Sequence, residues 1–121
     1  MLYLILILIL LVFDQISKYL FGFVFNTGSA FGLFKEYAII LTIFSFLMLI
    51  VFSYLFFKHK KYRLIISLVL AGIMGNLIDR LIFGYVRDFI DLRVWPVFNL
   101  ADAYLVVALL LFIYFEYFKK S

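Results

Sequence analysis

Long apolar stretches, separated by short polar segments, dominate the chain. Four of them, at about 1–20, 38–57, 64–83 and 101–118, reach the roughly 20 residues that a membrane-spanning helix needs. The pattern predicts an all-α integral membrane protein, with four transmembrane helices in a single domain over residues 1–121. The connecting loops are short, and a small β element and an interfacial segment could lie in those of one face.

Composition supports a membrane protein, because 69% of the 121 residues are hydrophobic. An ordinary soluble domain is roughly half apolar, and a chain of this length has too little interior to bury the excess. The first apolar run, "MLYLILILILLVF", lacks a positively charged start and a small-residue cleavage site. We therefore expect a retained first span rather than a removed signal peptide.

The basic residues are placed as topology signals. They crowd the second loop, "KHKKYR", and the tail at Lys119 and Lys120, which fall on one side of the membrane if there are four spans. Since basic loops stay in the cytoplasm, both termini are predicted to be cytoplasmic, and the first and third loops to face outward. Clusters beside apolar spans explain the net charge of +4 without a nucleic-acid partner.

Polar side chains collect towards the predicted outer ends of the spans, and local explanations exist for several of them. Asp14 and Lys18 lie one helical turn apart and could form an ion pair. Asn76 and Arg80 have the same spacing and could satisfy one another. Asn99 followed by Asp102 is typical of a helix start, where the macrodipole favours an anion.

Local pairing does not account for the whole group. The aspartates at positions 14, 79, 88 and 102 share this region with two span-embedded cations, Lys18 and Arg80. Arg87 adjoins Asp88 but is expected to be exposed, where it either lowers the pKa of Asp88 or points to water. Two carboxylates are thus left without an intramembrane partner, and such groups are candidates for function.

Two further patterns have structural interpretations. Asp91 and Arg93 alternate with apolar residues, as in a strand lying at the interface. Gly72 and Gly75, in "AGIMGN", predict close helix packing.

Elimination narrows the chemistry to carboxylates. The chain has no cysteine, and its one histidine, His59, is predicted on the opposite side of the membrane, so Ser-His-Asp and Cys-His sites are excluded. The H-E-x-x-H and P-loop motifs are absent, and we expect no metal or cofactor. Two close carboxylates share one proton, so one can deprotonate water while the other protonates or hydrogen-bonds a carbonyl.

Five motifs carry a resemblance to a known family. "DQISKYL", "NTGSAFG", "GNLIDR", "GYVRDFID" and "FNLAD", in this order and on these spans, resemble the lipoprotein signal peptidases (signal peptidase II). The resemblance implies that Asp88 and Asp102 are the catalytic pair. It also implies a site-shaping or substrate-binding role for a larger set: Asp14, Lys18, Asn26, Gly28, Ala30, Gly75, Asn76, Asp79, Arg80, Val86, Asn99 and Ala101.

What the resemblance implies about function is specific. It implies an aspartic endopeptidase of the bacterial inner membrane that cleaves diacylglyceryl-modified prolipoproteins just before the lipidated cysteine, and that globomycin-type cyclic peptides inhibit. The alternative is a small four-span proton-coupled transporter, which would explain the size and the buried acids but not their gathering with amides at one face. A structural subunit without chemistry ranks last.

Overall fold

Four long helices form the protein. The computed structural model describes residues 1–21 and 35–119, the side chains of the second range from residue 39 onward. The helices are α1 (Leu2–Phe21), α2 (Lys35–Lys58), α3 (Arg63–Phe83) and α4 (Leu100–Tyr117), with a 3₁₀ turn (Lys60–Tyr62) before α3. All four are long and apolar enough to cross a membrane, which confirms the predicted fold class.

Helix α3 is the centre of the bundle, because α1, α2 and α4 all pack against it. Of the span that contains α3, 61% is buried, against 17% for α1 and 11% for α4. Ile66, Leu70 and Ala71 of α3 form a buried cluster with Ile7 of α1. The outer helices expose leucine, isoleucine and phenylalanine side chains, as lipid-facing surfaces do.

Small residues bring α3 close to its neighbours. A Cβ atom on Gly72 would lie 2.7 Å from the carbonyl oxygen of Ala101, and one on Gly75 would lie 3.1 Å from Ala101 Cβ and collide with Asp14 Oδ2. Interfaces between membrane helices favour such residues because they allow backbones to approach. The predicted close packing at both glycines is confirmed.

The two ends of the bundle differ in chemistry. At one end, the basic residues of the 58–63 turn lie near the start of α1, as the edge-to-face contact of Tyr3 with Phe56 at 5.8 Å shows; we call this the basic end. The opposite end holds the last turns of α1 and α3, the loop 84–99 and the start of α4. We call it the site end.

The loop 84–99 begins at Gly84, whose φ of 81° ends α3 while its N–H donates to Arg80 O at 3.0 Å. Ile90 and Phe98 form an isolated antiparallel bridge. The strand expected at residues 90–94 is wrong: Arg93 N donates to Asp91 Oδ1 at 2.9 Å, and Arg93 has a φ of 70°. A local bond from side chain to backbone turns the chain there, in competition with a strand ladder.

Helix α4 begins with a capping box. Asn99 is the N-cap; its side chain accepts the Asp102 N–H at 2.9 Å, and Asp102 Oδ2 accepts the Asn99 N–H at 3.3 Å. Two backbone N–H groups at the helix start, which have no partner within the helix, are thereby hydrogen-bonded. This confirms the predicted helix start and fixes the direction in which Asp102 leaves the helix.

Candidate active site

The site end is built on a buried ion pair. Lys18 Nζ lies 2.7 Å from Asp14 Oδ2, and both side chains are fully buried. Asp14 Oδ1 accepts the Ala101 N–H at 2.9 Å, while Lys18 Nζ donates to Gly75 O at 3.1 Å. The predicted pair is confirmed, and it also joins α1 to α3 and α4.

Asp79 is the second buried acid of this end. Its carboxylate accepts three bonds from Arg87, from N at 2.9 Å, Nε at 3.2 Å and Nη2 at 2.9 Å, and Lys18 Nζ lies 3.3 Å from Asp79 Oδ2. Asp14 and Asp79 thus face Lys18 and Arg87, two anions against two cations. Such pairing is what a buried charge requires.

The expectation for Arg87 is wrong. Only 9% of the residue is exposed, and its guanidinium points away from Asp88, towards Asp79 and Gln15 Oε1 at 2.9 Å. Neighbours in an extended loop direct their side chains to different sides, so adjacency in sequence did not produce a pair. Arg87 neither points to water nor lowers the pKa of Asp88.

Two amides connect the carboxylates. Asn99 Nδ2 donates to Asn76 Oδ1 at 3.0 Å and to Asp88 Oδ1 at 2.8 Å. Asn76 Nδ2 donates to Asp102 Oδ1 at 2.9 Å, and Asn76 Oδ1 also accepts from Lys18 Nζ at 3.3 Å. The expected pairing of Asn76 with Arg80 is therefore wrong, because tertiary partners occupy every polar atom of this amide.

Arg80 turns instead to α2. Its Nη1 donates to Ser45 Oγ at 3.0 Å, and Ser45 Oγ donates to Leu41 O at 2.8 Å. Within the described residues, the ion pairs are those of Lys18 and Arg87. Arg80 is thus a cation beside the carboxylates that is held by a neutral hydroxyl.

Apart from the exposed Asp91, Asp88 and Asp102 are the acids of the site end that take no part in those ion pairs. Asn99 contacts both, through Nδ2 to Asp88 and through the capping box to Asp102. Burial, together with the negative charge of Asp102, raises the pKa of Asp88 to about 6. Asp88 therefore keeps its proton to a higher pH than an ordinary aspartate does.

A cleft of about 800 Å³ leads away from these acids. Asn76, Arg80 and Asp102 line it at the site end, and His59 and Tyr62 line it at the basic end. Between them the lining is apolar, with α3 as the floor and α2 and α4 as the walls. The cleft can accept an extended or helical apolar segment whose one end lies beside the carboxylates.

Most of the predicted site residues meet at this end of the bundle. Asn26, Gly28 and Ala30 lie outside the described residues, and Val86 is half-buried in the loop before Arg87. Those that meet are Asp14, Lys18, Gly75, Asn76, Asp79, Arg80, Asp88, Asn99, Ala101 and Asp102.

Sequence reasoning missed Gln15 and Ser45, which bond to residues of the site end, and it expected Arg87 in solvent rather than among them. Gln15 Nε2 donates to Asp14 Oδ2 at 3.2 Å and to Asp79 Oδ1 at 3.3 Å. A glutamine inside an apolar span is itself a signal, which the adjacent Asp14 obscured. Over the described ranges, no group of three or more His, Asp or Glu side chains is arranged to hold a metal ion.

Two solved structures share this fold. A bacterial membrane enzyme solved in meso at 1.9 Å resolution matches 96% of this chain and 92% of its own, with a TM-score of 0.80 and 26% identity. A second, solved at 2.3 Å, matches 93% of this chain with a TM-score of 0.76. The chain is thus a multi-pass membrane protein with the fold of these bacterial membrane enzymes.

Sequence comparison gives the family. The chain belongs to the signal peptidase II family, which matches it over residues 6–118. The lipoprotein signal peptidase of Thermodesulfovibrio yellowstonii is 39% identical over 89% of each chain. That of Moorella thermoacetica is 37% identical over 90% of this chain and 88% of its own.

Proposed function

We propose that this protein removes the signal peptide from diacylglyceryl-modified prolipoproteins as an aspartic endopeptidase, cutting just before the lipidated cysteine, with Asp88 and Asp102 as its catalytic pair. Family membership supports peptide-bond cleavage in prolipoproteins and gives no support to the transporter alternative. The aspartic mechanism and its residues are supported by the site geometry.

The observation that carries the proposal is the placement of these two acids. Both contact Asn99, neither joins the ion pairs of the described residues, and Asp102 lines the cleft. Asp14 and Asp79 instead pair with the buried cations Lys18 and Arg87 and support the fold of the site. A carboxyl group can exchange protons with a substrate only if no fixed cation holds it permanently ionised.

The reaction needs one proton on the pair. The ionised carboxylate removes a proton from water, whose oxygen bonds to the carbonyl carbon, while the protonated partner gives its proton to the carbonyl oxygen. The tetrahedral species collapses with cleavage of the C–N bond, and the nitrogen of the leaving cysteine takes up a proton. No covalent intermediate with the enzyme forms, and the remaining residues position the pair and the peptide.

The cleft suits a substrate that stays in the membrane. Its apolar walls can pack against the hydrophobic part of a signal peptide, and its polar end places the bond to be cut beside Asp102. Arg80, held by Ser45 at the same end, offers donors to peptide carbonyls. By resemblance to the family, globomycin-type cyclic peptides would occupy this polar end, and membrane lipid would border the cleft.

The location follows from charge. The basic end lies at the cytoplasmic face of the bacterial inner membrane under the positive-inside rule, with both termini in the cytoplasm. The site end then lies near the outer face.

Purified protein in proteoliposomes tests the function. We expect cleavage of a diacylglyceryl-modified lipobox peptide, much slower cleavage of the same peptide without lipid, and no proton-coupled uptake of cationic solutes. Cleavage should persist with chelator and with serine-directed reagents. Equal cleavage of both peptides would contradict the substrate assignment, and loss with chelator that added zinc restores would contradict the aspartic mechanism.

A further inference from the structure

Arg87 is attached to the site end through its backbone as well as its side chain. Its N–H donates to Asp79 Oδ2 at 2.9 Å, and its carbonyl oxygen accepts from Asn99 Nδ2 at 3.4 Å. Asn99 Nδ2 is also the donor to Asp88 Oδ1, at 2.8 Å. One amide group thus contacts both Arg87 and the residue after it, so a displacement of Arg87 changes the position of Asp88 relative to Asn99.

The guanidinium of Arg87 reaches two helices at once. Nη2 donates to Asp79 Oδ1 on α3 at 2.9 Å and to Gln15 Oε1 on α1 at 2.9 Å. The group also lies over the Phe83 ring, 4.5 Å from its centroid, in a cation–π arrangement. The planar fork of an arginine satisfies two such acceptors together, which a lysine ammonium cannot do with the same geometry.

Asp88 itself has few other attachments. It lies on the loop 84–99, where the described backbone pairing is the Ile90–Phe98 bridge together with the Phe89 N–H bond to Phe98 O at 3.0 Å. That pairing fixes the chain after Asp88. Arg87 fixes the chain before it, against Asp79 in the last turns of α3.

We propose that Arg87 is a positioning residue for cleavage: by binding Asp79 and Gln15, it holds the loop so that the Asp88 carboxyl faces Asn99 and Asp102. Arg87 is not among the residues that line the cleft, and its guanidinium bonds to Asp79 and Gln15. It therefore acts by positioning the loop rather than by contacting the substrate. The inference rests on the proposed role of Asp88.

The test compares two arginines of the same loop. Arg87→Gln removes the charge and the fork, while Arg93→Gln makes the same change at an exposed position. For Arg87→Gln we expect kcat to fall about ten- to a hundredfold, since a small displacement of a catalytic group costs this much, with KM nearly unchanged. Arg87→Lys, which keeps the charge opposite Asp79, should fall between, and Arg93→Gln should match the parent protein.

A double variant separates positioning from a general loss of folding. If Arg87 acts through Asp79, Arg87→Gln should lower kcat little further when Asp79→Asn is already present, because coupled residues are not additive. All rates are measured well below each variant's unfolding temperature. A parent-like kcat for Arg87→Gln, a loss confined to KM, or full additivity with Asp79→Asn would overturn the inference.

A different experiment tests the proposed function independently of the positioning role. If Asp88→Asn retains cleavage, the catalytic assignment is wrong whatever Arg87 does. If Asp88→Asn is inactive while Arg87→Gln is parent-like, only the positioning role is wrong.

Discussion

Asn99 donates to Asn76 across the interface of α4 and α3, at 3.0 Å between Nδ2 and Oδ1. Each of these amides also donates to a different aspartate, Asn99 to Asp88 and Asn76 to Asp102. The relative position of the two carboxyls is therefore set by a pair of neutral side chains. Neutral donors orient a carboxyl without removing its ability to exchange a proton, as a fixed cation would do.

Asn99 has two roles: it caps α4, and its side-chain amide donates to both Asp88 and Asn76. A substitution that keeps the cap but removes those two donated bonds should separate the roles. Serine is as good an N-cap as asparagine, but its hydroxyl is too short to reach both Asp88 and Asn76. We expect Asn99→Ser to lower kcat by up to about a hundred- to a thousandfold, the range found when a preorganised donor is lost, with a small change in thermal stability. Asn99→Ala should lose the cap as well and unfold at a lower temperature. A parent-like kcat for the serine variant would show that the bonds from Asn99 to Asp88 and Asn76 are not needed for catalysis.

The proposed catalytic pair should behave as one unit. Asp88→Asn and Asp102→Asn should each abolish detectable cleavage of the lipidated peptide, because an amide cannot exchange the proton, and the double variant should be no worse than either single one. Asp91→Asn, an exposed acid in the same loop, is the control and should be nearly silent. Asp79→Asn should lose stability or part of the activity. If Asp79→Asn were inactive while Asp88→Asn stayed active, the assignment of Asp88 rather than Asp79 to the catalytic pair would be wrong.

The pH dependence of cleavage should report the shared proton. Burial and the charge of Asp102 raise the pKa of Asp88 to about 6, so Asp88 loses its proton as the pH rises through this value. We expect kcat/KM, which reports the free enzyme, to fall on an alkaline limb centred near this pH, and again at low pH when both acids are protonated. A flat profile over about pH 5 to 9 would contradict a mechanism that needs one proton on the pair.

The same raised pKa has a consequence for stability. A carboxyl whose pKa is higher in the folded state stabilises the fold fully below its ordinary pKa of 3.8, and that contribution is lost as the pH rises through about 6. Asp88→Asn should therefore unfold at a higher temperature than the parent protein at pH 8, and the difference should vanish near pH 4. Thermal unfolding in one detergent at both pH values measures this, and a variant less stable at pH 8 would refute the shift.

Membrane orientation can be tested with single cysteines, since the chain has none of its own. Val94 is 89% exposed in the loop of the site end, and His59 is exposed at the basic end. In intact cells, Val94→Cys should react with an impermeant maleimide and His59→Cys should react only after permeabilisation. The reverse pattern would show that the proposed topology is inverted. Replacing His59 keeps the neighbouring lysines and arginine, so the variant itself does not change the topology signal.

Those parts of the site that depend on local spacing could be predicted from the sequence. Asp14 and Lys18 are one turn apart on a helix, so their pairing follows from helical geometry. Asn99 and Asp102 form a capping box for the same reason. The span lengths fixed the four helices, and the largest difference in bounds is at α2, which begins at Lys35 rather than near residue 38.

The parts that depend on packing between helices could not be predicted. Asn76 and Arg80 share a helix face, yet one turns to Asp102 on α4 and the other to Ser45 on α2. Arg87 has an acid next to it in sequence but pairs with Asp79, eight positions earlier. In each case the choice among several possible partners was made by the tertiary fold, and a single sequence does not order those partners by distance.

The cleft has residues of α3 as its floor and residues of α2 and α4 as its walls, so a bilayer around the bundle would border its open side. Under the proposed function, a substrate anchored by acyl chains would reach the carboxylates by moving within the plane of the bilayer. Its concentration for the enzyme would then be a surface density rather than a bulk molarity. Diluting enzyme and substrate with extra phospholipid, at constant volume, should slow cleavage as adding solvent slows a soluble protease. For such an enzyme, KM is properly expressed as a mole fraction of the membrane.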